Sequence, residues 1–181
     1  MSLLGKRYGE ALLEVAIEEN KIDDYRENLK CLIKYFEDVL ELEPFIKNSK
    51  IGKQEKKDTM CKILENDCDE KFLNFVKDLI DKDRMSILSD ILENYEVLSN
   101  KYQNIVEIKV TSALLLDDNE IEGIKEKYKD YFKGFKIKIK NVVDESIIGG
   151  LKLEFEDTVI DATLKTKLNS LRDYMLNSEL I

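Results

Sequence analysis

Between Leu4 and about Tyr102 the apolar positions recur every three to four residues. Tyr25, Leu29, Leu32, Ile33, Phe36 and Leu40 make one stripe; Phe72, Phe75, Val76, Leu79 and Ile80 make a second; Leu88, Ile91, Leu92, Tyr95 and Leu98 make a third. Such spacing places side chains on one face of an α-helix, so this half of the chain is expected to form a helical bundle. The breaks agree: Pro44 is expected to open a turn, Gly52 interrupts the next connection, and Asp81, Lys82 and Asp83 separate two helices. About six helices result, some of them short. In the first, Tyr8, Ala11, Leu12 and Val15 share a face while Leu13 and Ile17 lie off it. A helix apolar on more than one side is either surrounded by neighbours or packs inward and also borders a groove for a partner.

Near Ile105 the period falls to two. Val106, Ile108 and Val110 alternate with Glu107, Lys109 and Thr111; Phe135, Ile137 and Ile139 alternate with Lys136, Lys138 and Lys140; Leu151, Leu153 and Phe155 alternate with Lys152, Glu154 and Glu156. Each run reads as a strand with one covered face. Asp117 and Glu120 form a capping-box start for a helix carrying Ile121, Ile124 and Tyr128, and a last helix aligns Leu164, Leu168, Leu171 and Met175. The expected fold class is α + α/β: an N-terminal six-helix bundle over 1–104, then a small C-terminal domain over 105–181 with a mixed β-sheet and two helices.

Charge and composition narrow the function. The chain of 181 residues carries a net charge of -9, a field that repels phosphate backbones and argues against nucleic acid as a partner. No apolar run approaches the roughly 18 residues that span a bilayer, and the N-terminus lacks the apolar core of a signal peptide, so a cytosolic protein without direct membrane insertion is expected. Cys31, Cys61 and Cys68 form no close pair and read as reduced thiols. The sequence has no histidine, which removes Ser-His-Asp and Cys-His catalysis and histidine-bound metals.

The remaining candidates for chemistry are few. In a calcium-loop register around Gly123, Asp118, Glu120 and Glu122 fall on ligand positions, but Lys129 occupies the place of the closing glutamate, so a helix N-terminus is the expected role. Lys136, Lys138 and Lys140 form either an anion patch or a solvated sheet face. Gly149 and Gly150 match neither GxxxxGK[ST] nor GxGxxG, and lead into a strand, so they are expected to serve a structural turn. Neither a cofactor nor a metal is indicated. Asp144, Asp161 and Lys165 are the only clustered candidates for an alternative reading, a small cytosolic enzyme using carboxylate and lysine chemistry.

RYGEALLEVAIEE near the N-terminus, VEIKVTSALLL after the helices, and VVDESIIGGLKLEFEDTVIDATLKTKLNSL near the C-terminus together resemble the delta subunit of bacterial F-type ATP synthases, counterpart of the mitochondrial oligomycin-sensitivity-conferring protein. The resemblance covers the whole chain in order. Gly9 stands where that family often has alanine, and Glu156 where its hairpin often has glycine, which implies a different turn at Glu156, Asp157 and Thr158. The resemblance implies a non-catalytic stator subunit, one copy per complex, at the cytoplasmic face of the cell membrane. It further implies that the bundle grips the N-terminal segments of the alpha subunits and that the C-terminal domain meets the C-terminal ends of the b subunits. The groove it implies lies between the first and fifth helices, with Tyr8, Leu12, Leu13, Ile17, Phe75 and Leu79 as candidate contacts.

Overall fold

The computed structural model describes residues 2–64, 68–155 and 158–178. Eight helices and a four-stranded mixed sheet are described, in two compact units, Met1–Ser99 and Asn100–Ile181. The division falls inside the last helix of the first half, a few residues before the 104/105 boundary expected from the change of period.

The first unit comprises α1 (Leu3–Glu18), α2 (Ile22–Asp38), α3 (Leu42–Lys47), α4 (Lys53–Leu64), α5 (Glu70–Asp81), a 3-10 turn (Met85–Ile87) and α6 (Leu88–Tyr102). Its core takes Tyr25, Leu29 and Leu32 from α2, Phe72, Val76, Leu79 and Ile80 from α5, and Leu88, Ile91 and Tyr95 from α6. Two phenols are buried with their hydroxyls satisfied: Tyr25 donates to Glu19 at 2.6 Å and Tyr95 to the Ile22 carbonyl at 2.8 Å. Burial pushes both pKa values up, because the phenolate would be desolvated.

Three local expectations are corrected. Leu40 is 85% exposed, because α2 ends at Asp38 and the stripe does not continue beyond it. Pro44 lies within the first turn of α3 rather than opening a turn; a proline is tolerated there because those N–H groups have no helical partner. On α1 the buried positions are Gly5, Gly9, Leu12, Leu13 and Ala16, so Leu13 belongs to the inward face while Ala11 is exposed. The glycines explain the shift. A Cβ on Gly9 would stand 3.2 Å from both Asn94 Cβ and Tyr95 N, and one on Gly5 only 2.7 Å from Asp90 Cβ, so α1 lies very close against α6.

In the second unit β1 (Ile105–Ser112) pairs in parallel with β2 (Lys136–Val143) and antiparallel with β3 (Leu151–Phe155), which pairs antiparallel with β4 (Thr158–Asp161), giving the order β2-β1-β3-β4. β4 is a strand beyond the three that the alternation marks; its four residues are too few to show a period. Val106, Ile108, Val110, Leu153 and Phe155 pack with Ile124 of α7 (Asp118–Tyr128) and with Phe132. Asp117 caps α7, accepting from Glu120 N at 2.7 Å while the Glu120 carboxylate accepts from Asp117 N at 3.0 Å. That capping box places the acidic residues of the calcium-loop register in a helix start. Glu156 and Asp157, where a different hairpin turn was expected, lie outside the described residues. Helix α8 (Leu164–Ser178) closes the second unit's element order.

Candidate functional site

Tyr8 of α1 projects onto α5. Its ring meets that of Phe75 edge-on, with centroids 6.1 Å apart, and Phe75 in turn lies 5.9 Å from Phe72. The Tyr8 hydroxyl accepts from Arg84 Nη1 at 2.9 Å and lies 3.4 Å from Asp78 Oδ2, while Lys82 and Arg84 approach the ring at 5.9 Å and 5.5 Å. An aromatic pair is thus rimmed by two cations and a carboxylate, the latter tied to Lys82 at 2.8 Å. Such a surface has an apolar floor and a charged edge, as an amphipathic helix requires.

The six expected contacts separate. Tyr8 and Phe75 come together and are half-buried. Leu12, Leu13 and Leu79 are interior, at 3%, 8% and 0% exposure. Ile17 is half-buried, but nine residues along a helix turn it about 180° from Tyr8, so the two do not share a face. Asp78, Lys82 and Arg84 were not among the candidates. The Asp78 to Lys82 spacing of four hints at one pair, but nothing in the sequence connects Arg84 to a tyrosine 76 positions away.

The second candidate surface is α8. Leu164, Leu168, Leu171 and Met175, expected as a packing face, are 46%, 63%, 60% and 64% exposed, and Tyr174 beside them is 74% exposed. With these side chains close to half exposed or more, α8 presents an apolar seam. Tyr174, three residues after Leu171, could have been read from the same helical spacing.

Asp144, Asp161 and Lys165 do border one cavity of about 670 Å³ on the polar face of the sheet. Both carboxylates are engaged as turn acceptors. Asp144 accepts from Ser146 N at 2.9 Å, and hydrogen bonds from Ser146 hold its carboxyl below the usual range. Asp161 accepts from Thr163 N at 2.9 Å and Thr166 Oγ1 at 2.8 Å, and the Thr163 backbone N–H, followed by the threonine hydroxyls, likewise holds it low. A carboxylate stabilised in its ionised form is a weak base, so this arrangement favours shaping the start of α8 over proton transfer. Lysines on the same face are interleaved with acids: Lys109 pairs with Glu154 at 2.8 Å and Lys138 with Glu107 at 3.8 Å.

The glycine pair sits against that helix start. Gly150 has φ +85°, and a Cβ there would lie 2.5 Å from the Ala162 carbonyl oxygen and 2.8 Å from Thr163 Cα. A helix N-terminus does adjoin the pair in space, although in sequence the glycines lead into a strand. However, the Gly149 carbonyl takes the Leu164 N–H at 2.9 Å, so backbone already fills that position.

The sequence and the fold resemble those of known proteins. A sequence model described as "ATP synthase delta (OSCP) subunit" matches residues 4–175. The chain is 35% identical over 176 residues to "ATP synthase subunit delta" of Acetivibrio thermocellus, covering 97% of this chain and 99% of that protein. It is also 35% identical to the protein of the same name from Clostridium perfringens strain SM101, covering 97% and 98%. The fold is shared with a chain of the Toxoplasma gondii mitochondrial ATP synthase hexamer, with a TM-score of 0.71, 17% identity, and 97% and 98% of the two chains covered. The chain belongs to the ATP synthase delta (OSCP) subunit family, a non-catalytic component of the peripheral stalk of F-type ATP synthases.

Proposed function

We propose that this subunit joins the catalytic head to the b subunits at the cytoplasmic face of the membrane-bound complex, with residues 1–104 acting as a six-helix bundle on the head and residues 105–181 meeting the b subunits. Ion flow is thereby coupled to ATP synthesis, because a head held still against the rotor is driven through its catalytic states. The observation that carries the reading is the open seam of α8: four residues at helical spacing, each at least 46% exposed, form the stripe that a partner helix covers. The half-buried Tyr8 and Phe75 with their charged rim support a second contact, with the amphipathic N-terminal segment of an alpha subunit. The interior Leu12, Leu13 and Leu79 support that contact from behind by holding α1 and α5 in place.

The test uses the purified chain and the soluble part of b. Leu168→Glu combined with Leu171→Glu is expected to weaken association at least tenfold while the melting temperature stays unchanged, since both side chains are exposed. Wild-type affinity in the double variant would remove α8 from the b interface. In parallel, titration with the alpha-subunit N-terminal peptide is expected to show binding that Phe75→Ala weakens.

A further inference from the structure

The outer edge of β2 carries backbone groups that β1 does not take. Lys136 N donates to the Asn104 carbonyl at 2.8 Å and Asp144 N to the Ser112 carbonyl at 2.9 Å, so the even-numbered residues of β2 are the ones that bond to β1 in the parallel ladder. The N–H and C=O groups of Ile137, Ile139, Asn141 and Val143 therefore turn away from β1, and among the described residues no further strand meets them. The side chains differ across the same rows. Val106 and Ile108 of β1 are 8% and 0% exposed, whereas Ile137 and Ile139, their partners in register, stay half-buried. On the opposite face Lys136, Lys138 and Lys140 are exposed; Lys138 reaches Glu107 at 3.8 Å, and among the described residues no carboxylate pairs with Lys136 or Lys140. Over 131–143 the sequence has four lysines and no acid, in a chain whose net charge is -9.

We propose that β2 accepts an extended acidic segment of a partner protein as an added strand, one in which carboxylates alternate with branched apolar residues. Its backbone bonds to Ile137 and Ile139, its apolar side chains cover those two residues, and its carboxylates stand opposite the lysines. A basic strand would be repelled, and a neutral one would gain nothing from the lysines. The other border of the sheet, β4, has four residues against the eight of β2 and carries an aspartate but no lysine, so it offers neither the length nor the charge. This contact is additional to the α8 seam, and its test needs no b subunit.

The experiment is a titration of the isotope-labelled full chain with the end-blocked peptide Glu-Val-Glu-Ile-Glu-Val-Glu, followed by amide hydrogen exchange. Saturable binding is expected, with exchange at Ile137 and Ile139 slowed at least tenfold. Glu-Glu-Val-Ile-Val-Glu-Glu, of the same composition without the alternation, and Lys-Val-Lys-Ile-Lys-Val-Lys should each bind at least tenfold more weakly. Lys136→Glu combined with Lys140→Glu, both at exposed positions, should weaken the acidic peptide at least tenfold and tighten the lysine peptide. Lys50→Glu combined with Lys62→Glu, exposed on the first unit, makes the same change in net charge and should leave both affinities unchanged. The proposal is overturned if the acidic peptide fails to bind, if it binds without slowing those two amides, if the rearranged peptide binds as tightly, or if the charge reversal at β2 has no effect. It is also overturned if the same amides slow without peptide as protein concentration rises, which would give the edge to a second copy.

Discussion

Replacing Gly150 by alanine isolates the role of the glycine pair. At φ +85° an L-residue suffers left-handed crowding of about 1–2 kcal/mol. The new methyl would also lie 2.5 Å from the Ala162 oxygen and 2.8 Å from Thr163 Cα, both backbone atoms that no rotamer change can move aside. Relieving that overlap opens the junction between β3 and α8, where Ala162 N donates to the Leu151 carbonyl and Leu164 N to the Gly149 carbonyl, each at 2.9 Å. Overpacking of this kind adds roughly 1–3 kcal/mol, so the expected loss totals about 2–5 kcal/mol. Gly149 is the internal control. Its φ is not left-handed, and the atom a methyl would meet, at 2.9 Å, is Leu164 Cδ1, the end of a side chain that is 46% exposed and free to rotate. Gly149→Ala should therefore cost less than about 1 kcal/mol, offset in part by lower entropy of the unfolded chain. Urea unfolding of the full chain, with hydrogen exchange read separately over 105–112, 151–155 and the α5 region, assigns each loss to its unit. Exchange should quicken in the strands of the Gly150 variant and stay unchanged in α5. Equal effects of the two alanines, or a neutral Gly150→Ala, would refute the backbone argument.

Three further outcomes follow from other contacts. Gly5→Ala should destabilise by about 1–3 kcal/mol in thermal unfolding, because its Cβ would meet Asp90 Cβ at 2.7 Å, whereas Gly9→Ala, at 3.2 Å and with better helix propensity, should stay within about 1 kcal/mol of wild type. Lys109 and then Lys152 hold the Glu154 carboxyl down to about 2 from 4.5; a depressed folded pKa gives stability that is present above 4.5 and lost as pH falls towards 2, so Glu154→Gln should flatten the melting temperature across that window. Ser99→Ala should cost about 1–2 kcal/mol, read by urea unfolding, since it removes the 2.8 Å acceptor of the buried Arg26 Nη2.

The sequence made the long, strongly periodic pieces legible. The β1 alternation and the stripes on α5 and α6 lie in the structure where their periods put them, because burial on one side leaves a direct hydropathy signature. Short pieces escaped: β4 has four residues, and α3 has six with a proline among them, too few for a period to emerge. The α1 face was misjudged because its inward side is set by Gly5 and Gly9, which carry no hydropathy signal and act through the closeness they permit. At the Tyr8 surface the aromatic partner was found on family likeness, but the charged rim was not, since Arg84 arrives through the turn that follows α5. The interior position of Leu12 and Leu79 was equally hidden, because an apolar residue on a helix looks the same whether a neighbouring helix or a partner covers it.

The lysine ladder of β2 has a bearing on life before assembly. β2 is a border of the sheet, and among the described residues no strand lies beyond it. A border with unpaired N–H and C=O groups can template the same strand of another copy. If two copies met there with Ile137 and Ile139 on matching faces, Lys136, Lys138 and Lys140 of one would stand opposite the same lysines of the other. That repulsion opposes edge-to-edge pairing of two copies through β2, so the same lysines that solvate the strand guard its open border.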